Sequence, residues 1–169
     1  MKKLYMKQKV FAIVDRFTVK NEAEEDCYQV EGDFVLIRGK RLHIRDMMGN
    51  ELALVKQKLI VLLPQFLVFV NGNQVATINK KFTLFKPRYV IDGLGWEVNG
   101  SFWEHDYTIS DSKGEIVRIH KAWISWGDSY ELSIRDDVDE TLVLAVVLAI
   151  DCVIAADTAR GTYAASSSN

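Results

Sequence analysis

The densest set of residues able to do chemistry is Arg38-Gly-Lys40-Arg41-Leu-His-Ile-Arg45, with four cations inside eight positions. Guanidinium and ammonium groups gathered this closely recognise anions through charge-assisted hydrogen bonds, so Arg38, Lys40, Arg41 and Arg45 are the candidate anionic-ligand site. A plainer reading stands beside it, in which alternate residues of an amphipathic strand are simply solvated. Lys80 and Lys81, with Lys86 and Arg88, form a second group with the same two readings. Asp151 is different, a lone carboxylate among apolar neighbours. Such a group needs a partner or a raised pKa. It either belongs to a functional pocket or plays a structural part, pairing with a basic side chain or capping backbone N–H groups.

The remaining chemistry-bearing residues form no constellation. His43, His105 and His120 stand far apart on separate expected strands without ligand spacing. Cys27 and Cys152 belong to no CxxC or Cys/His pattern, which argues against zinc and for free thiols in a reducing compartment. Ser101, Ser110, Ser125 and Ser129 lack a Gly-x-Ser-x-Gly context, and no glycine-rich phosphate loop is present. No catalytic set, metal site or cofactor is therefore expected. Trp96, Trp103, Trp123 and Trp126, with Phe102 and Tyr107, read as packing residues.

The elements that must position these side chains are short alternating runs broken by Gly, Asn and Asp turns, which is how an antiparallel sandwich or barrel reads. Arg41–Asp46 and Glu51–Lys56 flank a turn at Gly49, with Leu52 and Leu54 expected on the inner face. Asp106–Ser110 and Gly114–His120 flank a second turn. Phe66–Val70 and Gln74–Ile78 surround Asn71-Gly72, the strongest short hairpin signal. Tyr28-Gln-Val-Glu-Gly32-Asp-Phe34 is echoed by Trp96-Glu-Val-Asn-Gly100-Ser-Phe102, and the turns at Gly49 and Gly114 then correspond. Two related halves of roughly six strands give about twelve, enough to close a barrel.

Near the C-terminus, Leu142–Ile150 is apolar on every face. A helix of that kind is buried on all sides, and in a protein of strands the place that buries it is the inside of a wide barrel. Asp137, Asp139 and Glu140 supply N-cap candidates, Asp137 and Glu140 at capping-box spacing. The helix is expected over about 139–156, closing a single domain of residues 1–158, with 159–169 a flexible tail.

With 169 residues, 49% hydrophobic and 26% charged, the chain suits one compact domain. Its net charge of −2 argues against general nucleic-acid binding. No signal peptide is recognisable. Leu59–Val70 is uncharged but too short to span a bilayer, and Thr141–Ala156 is interrupted by Asp151. A cytoplasmic location is expected.

The acidic lead-in Asp136–Glu140, the apolar run Leu142–Ile150 and the Ile150-Asp151 that ends it resemble the LURP-one-related family of the tubby C-terminal-like superfamily, related to phospholipid scramblases. The resemblance covers nearly the whole chain and implies a closed antiparallel barrel of about twelve strands around a central hydrophobic helix. Tubby proteins bind phosphoinositide head groups through basic surface side chains, which gives the cluster around Arg41 an implied ligand. Scramblases carry a calcium-loop-like segment before the helix. Here Asp128–Asp136 lacks the spaced oxygens such a loop needs, so calcium-activated lipid transport is not implied. The resulting expectation is a non-catalytic binding or scaffold domain with an anionic phospholipid or protein partner. The alternative is a lipid-handling protein or enzyme with a site at the barrel mouth.

Overall fold

A computed structural model describes residues 1–7, 16–35, 39–81, 88–101, 104–124 and 127–166. Twelve strands follow one another along the chain: β1 (Lys2–Lys7), β2 (Arg16–Lys20), β3 (Asp26–Val35), β4 (Gly39–Asp46), β5 (Glu51–Gln57), β6 (Gln65–Val70), β7 (Asn73–Lys81), β8 (Arg88–Asp92), β9 (Glu97–Ser101), β10 (Asp106–Asp111), β11 (Gly114–Ile124) and β12 (Gly127–Ile134). They make one antiparallel sheet in the order β8-β7-β6-β5-β4-β3-β2-β1-β12-β11-β10-β9. The outermost strands, β8 and β9, are tied by an isolated bridge between Ile91 and Trp96, so the barrel is nearly closed. Closure removes the edges through which strands pair with other chains.

Helix α1 (Glu140–Ser166) fills the interior. Val143 through Ile150 and Cys152 through Ile154 are all buried, and they join the inward side chains of the strands in one core. The helix is long and apolar enough to cross a membrane, yet most of that stretch is enclosed by the barrel. Its first turn is capped by Asp139, whose Oδ1 accepts the N–H groups of Thr141 (2.8 Å) and Leu142 (3.1 Å). Asp137 instead accepts from Arg135 Nε at 2.6 Å. Arg135 also grips both carboxylate oxygens of Asp111, at 3.1 and 2.7 Å. The strand-to-helix connection is thereby fastened to the β10–β11 hairpin. The helix does not end near residue 156 in a tail from 159; it continues to Ser166.

The turns at Gly49 and Gly114 both use a glycine at positive φ, 91° and 118°. Asp46 and Asp111 each accept backbone N–H groups two residues on, from Met48 and Lys113. A register shift precedes each turn at the same distance, at Ile44/Arg45 and at Ile109/Ser110. The two halves thus share a structural device as well as a sequence echo.

The facing of β5 is the reverse of the expectation. Ala53 and Val55 point inward, whereas Leu52 and Leu54 face outward and are half-buried. Helix α1 lies closest to β5, β6 and β7. Small inward side chains such as Ala53 and Ala76 leave it that room.

An unpaired charge in this helix has nowhere to go. Val146→Asp or Leu148→Asp is expected to abolish cooperative thermal unfolding, and Leu144→Ala to cost about 2–5 kcal/mol by denaturant titration. A Val146→Asp protein that stays monomeric and melts cooperatively would place the helix on the surface instead.

Candidate functional site: the basic end of the barrel

The structure disperses the cluster on β4. Lys40, Leu42 and Ile44 point into the barrel, and Arg41, His43 and Arg45 point out. On the outer face Arg45 reaches Glu31 at 2.7 Å, and Glu31 is also held by Arg16 at 2.8 Å. These two guanidinium groups keep the Glu31 carboxyl below its usual range. His43 lies between Glu51 (2.6 Å) and Asp33 (3.6 Å). Arg45 is thus engaged by a carboxylate that it shares with Arg16, and Arg38 and Lys86 lie outside the described residues, as do Phe102, Trp103, Ser125 and Trp126. Lys40, Arg41 and Arg45 do not form one surface patch.

Lys40 is committed to the interior. Its ammonium acts on Asp151 and Cys152 of α1, opposing the effect of their burial. Asp151 is 3% exposed, and its Oδ1 has no hydrogen-bond partner. Burial holds its carboxyl well above the usual range despite Lys40. His105 approaches from the barrel wall, with Nδ1 3.8 Å from Asp151 Oδ1 and its ring stacked on Tyr130 at 4.4 Å. That separation is too long for a hydrogen bond. Burial pushes the His105 imidazole down, and Lys121 adds to that effect. Tyr107 is displaced upward, by burial first and by Asp151 second. The Cys152 thiol is pushed up to about 12 by burial, which leaves it unreactive at neutral pH. Lys40 is thus a basic neighbour of Asp151, but the two make no ion pair. Among the described residues no group of three His, Cys, Asp or Glu side chains could hold a metal ion.

A different asymmetry emerges once the strands are placed. Successive connections of an up-and-down barrel alternate between its two ends. Glu140 marks one end, where it meets Tyr28 (2.5 Å) and Lys2 (3.5 Å). Asp157, about 26 Å along the helix at 1.5 Å per residue, marks the other and is bound by Lys80 at 2.6 Å. The Glu140 end carries the acidic connections: Glu22–Asp26, Asp46 with Glu51, Asp92 with Glu97, Asp111 with Glu115, and Asp136–Glu140. The opposite end carries Arg41, Lys56, Lys58, Lys81, Arg88 and Lys121 against Asp33, Glu104, Asp106 and Asp157, while the Glu140 end holds Lys20, Lys113 and Arg135 among its more numerous carboxylates. In register, Lys81 faces Arg88 and Lys56 faces Arg41. Like charges opposed across a sheet are destabilising. Among the described residues neither Lys81, Arg88 nor Lys56 has an ion-pair partner, and Asp33, across from Arg41, makes no ion pair with it. The second sequence group, Lys80, Lys81 and Arg88, falls at this end.

The LURP-one-related family model matches residues 2–151, which take in all twelve strands and the helix as far as Asp151. The chain belongs to the LURP-one-related family. It is 36% identical to an uncharacterized Bacillus subtilis protein, YxjI, over 91% of this chain and 94% of that one. It is 28% identical to Protein LURP-one-related 6 of Arabidopsis thaliana, over 81% of each chain. Its fold matches an X-ray structure of another Arabidopsis thaliana protein at a TM-score of 0.63 and 14% identity, over 89% of both chains. At that identity the likeness concerns the fold alone. Within the family match, Asp151 is the last residue covered.

Summing charge over alternate connections would have exposed the segregation from the sequence, once an up-and-down order was assumed. The inward turn of Lys40 would have required the register.

The Asp151 carboxyl titrates higher in the folded than in the unfolded chain, whose value is near 3.8. The stability tied to its neutral form is fully present below that value and is lost as pH rises toward the folded one. Asp151→Asn removes this dependence. Urea titrations from pH 4 to 8 should show the variant gaining on the native protein as pH rises, by about 1–3 kcal/mol in all. Parallel pH profiles would show that Asp151 is ionised throughout, with Lys40 as its salt-bridge partner.

Proposed function

We propose that this protein is a non-catalytic binding domain whose basic end docks onto an anionic phospholipid surface. The observation that supports it most is the segregation of charge between the two ends of a barrel whose net charge is only −2. The cation pairs Lys81/Arg88 and Arg41/Lys56 oppose like charges within the sheet, and an external anion relieves both. Occupation of the interior by α1 leaves little space for a substrate, which favours binding over catalysis. Acidic connections at the far end orient the molecule, because they are repelled by the surface that attracts the basic end.

Vesicle co-sedimentation tests the reading. Binding to phosphatidylserine-containing vesicles should exceed binding to phosphatidylcholine vesicles and should fall with added salt. At about 1 kcal/mol per cation, Lys81→Ala with Arg88→Ala should weaken it by roughly tenfold or more. Arg45→Ala should change it little, because Arg45 is spent on Glu31. Equal, negligible sedimentation with both vesicle types would overturn the proposal.

A further inference from the structure

The connection from β5 to β6 is unlike the others. Residues 58–64 read Lys-Leu-Ile-Val-Leu-Leu-Pro, and Leu59, Ile60 and Leu62 are exposed, Ile60 at 105% and Leu62 at 93%. The connection emerges at the basic end, since β5 leaves toward it and β6 returns from it. Its base is fixed: Pro64 is buried, and Lys58 N–H donates to the Gln65 carbonyl at 2.9 Å. Leu59 lies against Gly39, where an added Cβ would come within 2.9 Å of it. The tip is therefore presented by a held base.

Ile60 has φ 59°. A β-branched residue in the left-handed region is a steric outlier, and Asn or Asp would adopt that conformation at lower cost. The tip thus departs from what stability favours in two independent ways, an apolar side chain left in water and a branched one in a strained backbone. Local features that oppose stability mark functional positions.

The geometry points to this connection as an apolar finger that enters the hydrocarbon of an anionic bilayer while the surrounding cations engage the head groups. The inference rests on the anionic-surface reading and adds to it the part of the chain that penetrates. Cations flank the finger on both sides: Lys58 at its own base, Arg41 and Lys56 toward β4, and Lys81 with Arg88 toward β8. A bilayer satisfies both kinds of group, offering negative charge at the surface and apolar volume beneath it. A second copy of the chain would set these cations against their own equivalents. Three exposed side chains are also far short of the area that a stable protein interface buries.

The test labels the full chain at Ile60→Cys with an environment-sensitive fluorophore, in a Cys27→Ser background. Cys152 is buried, with its thiol pushed up to about 12, and stays unlabelled. On phosphatidylserine-containing vesicles the emission should shift to the blue and intensify. A label at Met48→Cys, exposed at the acidic end, should not respond. Ile60→Asp and Ile60→Asn should each bind such vesicles at least tenfold more weakly with a melting temperature that is no lower than the native one, because burying one such side chain is worth about that factor or more and Asn or Asp relieves the left-handed strain. If both variants bind as the native protein does, and the label at position 60 stays unchanged on vesicles that are bound, the finger is wrong while the basic end stands. If the native protein binds no anionic vesicle, both fail. A concentration-dependent dimer abolished by Ile60→Asp would assign the finger to a second copy and overturn the bilayer.

Discussion

Burial of a helix with no polar face is the constraint on which the rest of the molecule depends. Val143 through Ile150 cannot meet water on any side, so a wall must surround them, and twelve strands supply it. The wall in turn needs the helix, because a barrel of this width cannot be filled by strand side chains alone. The Arg135 contacts with Asp111 and Asp137, and the Asp139 cap, fix how the helix enters. The short inward residues Ala53 and Ala76 fix where it rests.

On the proposed binding reading, the same constraint directs recognition outward. With the interior occupied, the buried polar residues Lys40 and Asp151 lie enclosed between helix and wall, with His105 and Tyr107 beside Asp151. What remains for recognition is the two ends, and the order of the strands makes these chemically unlike. Among the described residues, carboxylates are in excess at one end and cations at the other, with Glu104 and Asp106 as exceptions at the basic end and Lys113 at the acidic one. One connection at the basic end also presents Leu59, Ile60 and Leu62 to solvent. Attraction, orientation and anchoring can then be divided among parts of the molecule that the fold itself does not need.

The elements set by local chemistry were legible in the sequence. The helix follows from nine consecutive apolar positions, and the hairpins from Gly49, Gly114 and Asn71-Gly72. The candidate site was much less legible, because facing depends on pairing with distant strands. A strand places neighbouring residues on opposite faces, so Arg38-Gly-Lys40-Arg41 reads as one cluster and folds as at least two, with Lys40 inward and Arg41 outward. Leu52 and Leu54 were misplaced for the same reason, the small residues between them being what the helix accommodates. Lys81 and Arg88 are separated in sequence and opposed in space. The helix also runs beyond the expected tail, since small residues such as Ala and Ser suit a frayed end and a final helical turn alike.

Hydrogen–deuterium exchange of the protein on phosphatidylserine-containing nanodiscs tests the central claim most directly, because it reports which end of the barrel meets the bilayer. Protection should appear in the connection 58–64 and at the facing ends of β7 and β8, with the acidic connections at Asp46 and Asp111 exchanging as they do in solution. Protection at the acidic connections, or none anywhere on discs that have bound the protein, would contradict it.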